Sequence, residues 1–220
     1  MDLHARVALV RDRIDAANAR AGRPGRSVTL VAVTKGRPAS TVDALAACGI
    51  VEVGENRVQE ARAKASRVSG EVRWHLVGHL QRNKASKAAA LFSTIHSVDS
   101  PALLDALASA GRPLELFLQI SISGEASKGG VSPAAAPALL AKAFATPPLR
   151  PIGLMTMAPY GPDPESARPV FRELRRLIGE LNAAGIGPPL EGLSMGMSGD
   201  FEIAVEEGAT HVRIGTALLG

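Results

Sequence analysis

The sequence contains a single cysteine, Cys48, in 220 residues. An internal disulfide is excluded, and no cysteine cluster can hold a metal. Cys48 falls in an Ala/Leu-rich helical pattern and reads as a small core residue. Aromatic residues make up only 3%, too few for a nucleic-acid surface built on base stacking. The formal charge of +4 does not change that reading, because the excess arginines sit beside acids along helical stretches. Arg168, Arg172, Glu173, Arg175 and Arg176 show this pattern of a solvated helix face. No apolar run is long enough to span a membrane, and no cationic leader with an apolar core and cleavage site is present. The chain therefore reads as soluble and cytoplasmic, with neither nucleic acid nor membrane as a partner. Lysine is scarce, six in all, so the position of each one is informative.

What is present is a repeating punctuation. Apolar runs that read as strands occur near 28–34, 50–53, 72–77, 93–98, 114–122, 150–155, 190–194 and 211–214. Helical patterns lie between them. Ser40 with Asp43 could form a capping box, and Ser100, Ser132 and Asp163 each precede a proline suited to a first helical turn. Gly49, Gly111, Gly185 and Gly208 follow the last periodic residues of their helices. Strands alternating with helices imply parallel pairing through right-handed crossovers. Eight such units predict a single-domain (β/α)8 barrel, a TIM barrel, over residues 1–220, with strands and helices across 28–216. An open doubly wound sheet is the alternative. An amphipathic stretch over 1–21 predicts an extra N-terminal helix. The segment after the last strand leaves room for only a very short helix, so the N-terminal helix is expected to cover that part of the wall.

In such a barrel, chemistry gathers where strands end, and phosphate often binds between the loops after strands seven and eight. Those segments read Ser194-Met195-Gly196-Met197-Ser198-Gly199 and Arg213-Ile214-Gly215-Thr216. They offer hydroxyls, glycines for close backbone approach and the start of a helix, all suited to an anion. Lys35 closes the apolar run 28–34 just before the turn Gly36-Arg37-Pro38. It reads as a lysine at the end of a buried strand, able to form a Schiff base, or as one that snorkels to solvent. Strand one adjoins strand eight in a closed barrel, which brings Lys35 beside the phosphate site. An amine next to a phosphate cup meets the needs of pyridoxal 5′-phosphate (PLP). Arg213, between the two, could face the pyridine nitrogen and keep it unprotonated.

The chain also resembles the pyridoxal-phosphate homeostasis proteins along its whole length. The segments that carry the resemblance are LVAVTK (30–35), GENRVQE (54–60), WHLVGHLQRNK (74–84), SKGG (127–130), GLM (153–155), LSMGMS (193–198) and VRIGT (212–216). The resemblance implies a barrel related to the N-terminal domain of alanine racemase, with PLP on Lys35. It also implies phosphate contacts from Ser194, Ser198, Gly215 and Thr216, the ring-nitrogen arginine at Arg213, and a monomer. His79 stands where the family has a proline, and the family's basic C-terminal tail is not found after Gly220.

Other residues keep two readings. Asn56 could touch the cofactor or cap the next helix. His75 could face the cofactor or be a hydrogen-bonded barrel residue, and its spacing from His79 falls across a strand and a turn, so no metal site is expected. Lys128 could be a solvated loop lysine or a secondary PLP acceptor used in transfer. Met155 and Met157 are expected to line the pocket. Three functions fit: a PLP carrier or buffer serving vitamin B6 homeostasis and passing PLP to apo-enzymes, a PLP-dependent racemase-like enzyme, and a cofactor-free Schiff-base aldolase. The aldolase needs an acid–base pair near Lys35, and only Glu55 ends a neighbouring strand. The carrier is the preferred reading.

Overall fold

A computed structural model describes residues 2–125 and 129–220. Lys128 lies outside the described residues. The chain runs α1 (Leu3–Arg20), β1 (Thr29–Val33), α2 (Ala39–Ala47), β2 (Glu52–Glu55), α3 (Val58–Ala65), β3 (Arg73–Leu76), α4 (Ala85–Ala89) and β4 (Thr94–Val98). It continues with α5 (Pro101–Ala108), β5 (Leu114–Gln119), α6 (Ala136–Phe144), β6 (Leu149–Met155), α7 (Arg168–Ala183), β7 (Gly192–Met197), α8 (Phe201–Glu206), β8 (His211–Ile214) and α9 (Thr216–Leu219). The strands are parallel and close in sequence order, with β1 pairing both β2 and β8. The expected (β/α)8 barrel with its N-terminal helix is therefore the observed fold, and the open sheet is excluded.

Side-chain alternation divides the barrel into two environments. The outward residues of the strands, such as Ala32, Val53, Leu76, Ile95, Leu116, Leu118, Leu154, Leu193 and Val212, join the helices in one apolar cluster. Val31, Phe117 and Met155 are equally buried but fall outside that cluster, because they point into the barrel. The interior also holds His75, His96, Ser194 and Arg213, all buried. Large side chains fit there because others are absent. A Cβ on Gly192 would lie 2.6 Å from the Phe117 ring and 2.8 Å from the Ile152 carbonyl.

Several local expectations needed revision. Ser40 and Asp43 form no capping box: α2 starts after Pro38 without a side-chain cap, and the Asp43 carboxylate instead accepts from Ser69 N–H and Gly70 N–H. β2 begins two residues later than the apolar run suggested, since Ile50 N–H is still bonded back to the Leu45 carbonyl of α2. Ser100 and Asp163 do cap as expected, accepting from Leu103 N–H and Glu165 N–H.

The N-terminal helix covers the wall beside the short α9, packing on α8 and α9. Val7, Val10, Ile14 and Ala17 supply its buried stripe. Its polar face is pinned by Arg13 to Glu202 at 2.8 Å and Arg20 to Glu206 at 2.6 Å, and the Arg13 guanidinium lies over the Phe201 ring. Arg172, Arg175 and Arg176 of α7 are exposed as expected, and Arg168 is half-buried. Arg168, Arg172 and Arg175 converge on Glu207, tying α7 to the end of α8.

Candidate functional site

Strand ends and βα loops enclose a cavity of about 450 Å³ at the C-terminal mouth of the barrel. Lys35, Asn56, Ser198, Arg213, Gly215 and Thr216 all line it, with Val33, Val77, Met157, Met197 and Asp200. Six of the residues singled out from the sequence thus meet at one place. Three others lie deeper. Met155 and Ser194 are fully buried and His75 nearly so, and none of them lines the cavity. Met157, two residues beyond Met155, supplies the expected methionine lining.

Lys35 follows the end of β1 and is exposed, not buried as a strand-end lysine would be. The chain turns directly after it at Gly36, whose φ of +70° suits glycine. The buried lysine of this region is Lys64 on α3, which the sequence did not single out. Its ammonium donates to the Thr34 carbonyl at 2.6 Å and pairs with Glu55, which also accepts from the Thr34 hydroxyl at 2.6 Å. Thr34 and Glu55 are fully buried, so this ion pair clamps the backbone immediately before Lys35 from the outer face of the barrel.

Opposite Lys35, β7 carries one more residue than β8 between the pairs Ser194–His211 and Met197–Arg213. This bulge turns Ser198 toward the start of α9. Its hydroxyl accepts from Gly215 N–H and Ala217 N–H, both at 3.2 Å. Hydroxyls and backbone N–H groups are therefore grouped at one end of the cavity, with Thr216 exposed beside them. Asn56 makes no capping bond to α3, whose cap residue is Arg57, so its cavity position stands without the capping role.

Arg213 is buried between these groups. It donates from Nη1 to Ser194 Oγ at 2.6 Å and from Nη2 to the Thr156 carbonyl at 3.0 Å. Burial lowers its pKa to about 10, with the Asp200 carboxylate opposing the shift, so it remains a cation at neutral pH. Burial also raises the Asp200 carboxyl, while its Oδ1 accepts from Met197 N–H at 2.6 Å. The Ser194 hydroxyl is hydrogen-bonded to Arg213 and His96 and is buried behind Arg213, off the cavity lining. His79 is exposed near Asp99, apart from His75. Among the described residues no group of His, Cys, Asp and Glu could hold a metal, and no helix is long and apolar enough to cross a membrane.

The family model for the N-terminal domain of alanine racemase matches residues 7–220. Pyridoxal phosphate homeostasis proteins of Aquifex aeolicus and Pseudomonas aeruginosa are 38% and 41% identical to the chain. The alignments cover 98% and 97% of it and 96% and 93% of those proteins. The chain belongs to the pyridoxal phosphate homeostasis protein family. A solved relative of this family, PipY of Synechococcus elongatus with PLP bound, superposes with a TM-score of 0.88 at 37% identity, covering both chains completely. Alanine racemase of Clostridium difficile shares the barrel fold at 12% identity and a TM-score of 0.73, over 95% of this chain and 59% of its own.

Proposed function

We propose that this protein holds pyridoxal 5′-phosphate at the barrel mouth and carries or buffers it, serving vitamin B6 homeostasis rather than amino-acid turnover. One observation carries the reading: Lys35, Asn56, Ser198, Arg213, Gly215 and Thr216 surround a single cavity. The donor set fits the group, since an amine, an anion-binding cluster of hydroxyls and N–H groups, and a buried cation match its aldehyde, phosphate and ring nitrogen. When bound, PLP supplies an aldehyde that condenses with a primary amine as a Schiff base, and a ring able to accept electron density.

In this reading Lys35 provides the amine, held in place by the Glu55–Lys64 clamp behind it. Ser198, Gly215 and Thr216 hold the phosphate, and Asn56 and the Val33 and Val77 side chains border the ring. Arg213 faces the ring nitrogen as a permanent cation and opposes its protonation, which weakens the ring as an electron sink. Racemisation needs an acid–base group on each face of the substrate. Tyr160 is the only tyrosine of the sequence and stands 98% exposed at the rim. The site is thus equipped to hold the cofactor, and the exposed Lys35 leaves it open to exchange with a recipient apo-enzyme. The protein is proposed to do this as a monomer.

The test is a titration of the purified protein with PLP, followed by borohydride reduction and peptide mapping. A visible absorption band and a pyridoxyl group on Lys35 are expected; a label chiefly on Lys128 would overturn the assignment. Incubation with an apo-enzyme should restore that enzyme's activity. Robust turnover of an amino acid, lost in Lys35→Ala, would replace the carrier by a racemase-like enzyme.

A further inference from the structure

Five strands each turn a polar side chain into the barrel, and these side chains touch in series from floor to mouth. Glu52 Oε2, at the start of β2, lies 2.6 Å from His75 Nε2. His75 Nδ1 lies 2.9 Å from His96 Nε2, and His96 Nδ1 lies 2.7 Å from Ser194 Oγ. Ser194 Oγ accepts from Arg213 Nη1 at 2.6 Å, and Arg213 lines the mouth cavity. Phe117 stacks on His96 with ring centroids 4.6 Å apart and the planes 23° apart.

The hydrogen atoms of this series can be assigned from its ends. Arg213 can only donate, so Ser194 Oγ accepts there and its own hydrogen needs an acceptor. The acceptor in reach is His96 Nδ1. His96 then carries its proton on Nε2 and donates to His75 Nδ1, and His75 carries its proton on Nε2 and donates to the Glu52 carboxylate. Every donor meets an acceptor, with a cation at one end and an anion at the other.

We propose that Glu52, His75 and His96 are positioning residues that act through Ser194 to hold the Arg213 guanidinium aimed at the cofactor. A buried arginine must be compensated or the fold pays for its lost hydration. Asp200 compensates from the mouth; the relay brings the Glu52 charge to bear from the floor, since hydrogen bonds pointing the same way polarise one another. The relay also fixes the Ser194 hydroxyl as an acceptor toward Arg213, so the guanidinium keeps one orientation and leaves its remaining N–H groups to the cavity. The charged or titratable groups facing the two rings are Glu52, His211 and Arg213. Burial first, then the neighbouring His75, Arg213 and His211, push the His96 ring well below its ordinary value, in keeping with the neutral ring of the donor assignment. The proposal rests on the reading of Arg213 as the group that faces the cofactor.

The experiment begins with 15N NMR of labelled histidine and arginine in the cofactor-free protein. At pH 7, His75 and His96 should each show a protonated Nε2 and a bare Nδ1. A cationic ring, or a proton on Nδ1 at either position, would overturn the relay. Glu52→Gln, isosteric and still able to accept from His75, should move the His96 and Arg213 signals across the barrel; unchanged signals would refute the coupling. PLP titrations follow. His96→Leu should weaken binding about tenfold, the equivalent of about 1.4 kcal/mol, while His96→Asn, whose Oδ1 can still accept from Ser194, should recover most of the loss. Equal loss in both variants would make His96 merely structural. If His96→Leu fails to fold, Glu52→Gln decides the matter by itself. Wild-type protein that binds no PLP would defeat the carrier reading, whereas the NMR outcome would still judge the relay.

Discussion

Two classes of residue shape the mouth, and substitution should separate them. Ser198→Ala and Thr216→Ala should weaken PLP by about 1–3 kcal/mol each, the cost of losing a hydrogen bond to a charged group. Pyridoxal, which lacks the phosphate, should be insensitive to both. Ser194→Ala acts behind Arg213, so it should weaken PLP and pyridoxal by the same factor. Parallel titrations with the two ligands check this, and a Ser194 effect confined to PLP would return that hydroxyl to the phosphate. The buried pair Glu55–Lys64 should respond through stability. Lys64→Ala or Glu55→Ala strands a charge in the wall and should cost about 3–5 kcal/mol in urea unfolding, whereas replacing both partners with apolar residues of similar volume should cost much less.

Among these residues, the sequence was legible where motif and strand order coincide. Lys35, Ser198, Arg213, Gly215 and Thr216 were found because a closed barrel brings strands one, seven and eight to the same mouth. Alternation reveals which face a side chain takes, but not its depth along the barrel axis. Ser194 and His75 therefore share a face with the cavity residues yet sit beneath them, and Met155 gives way to Met157. Lys64 was missed because its partners, Glu55 and the Thr34 carbonyl, come together only when α3 packs on the outer wall.

At the scale of elements, β6 and β7 show how space is shared inside the barrel. Gly192 faces the Phe117 ring of β5, and Gly153 lies against the Gly192 backbone so closely that a Cβ there would fall 2.0 Å from its carbonyl. Neither conflict can be relieved by turning a flexible side chain, because backbone or a packed ring stands in the way. Gly192→Ala should therefore destabilise by about 1–3 kcal/mol or more, as overpacked cores do. Phe117→Leu, which shortens the opposing side chain, should recover part of that loss in the double variant. Additive losses in thermal or urea unfolding would show that Gly192 serves something other than the ring. Strand composition hinted at this only weakly, since a glycine in an apolar run reads equally as a turn. The N-terminal helix was more legible, its buried stripe being periodic and its partners α8 and α9 being set by the short last unit.

For the molecule as a whole, the polar interior predicts how stability responds to acid. Burial pushes His211 down to about 4, and its neighbours act in both directions: His75 and Arg213 lower it further, while Glu52 and Glu115 oppose them. Its nitrogen also meets the Thr210 hydroxyl, and its ring packs against Phe117 and His96. Burial likewise holds His96 well below its usual value. In the unfolded chain both rings titrate near 6.5, so as pH falls below that value the unfolded state binds protons that the native state refuses, down to about 4 for His211. Stability must then fall as pH falls, by up to about 1.4 kcal/mol per pH unit for each histidine, and must be flat from these groups above pH 7. Glu52 adds the same sign at lower pH: burial alone would raise its carboxyl, but the His75 hydrogen bond and nearby positive charge bring it below the ordinary value. Urea midpoints measured from pH 8 to 4 at constant ionic strength check the window. His211→Asn, which removes one titrating ring while keeping a polar group beside Thr210, should reduce the acid slope by about one proton whatever its effect on stability at pH 8. An unchanged slope would mean that His211 already takes up its proton in the native barrel and that the floor is open to water.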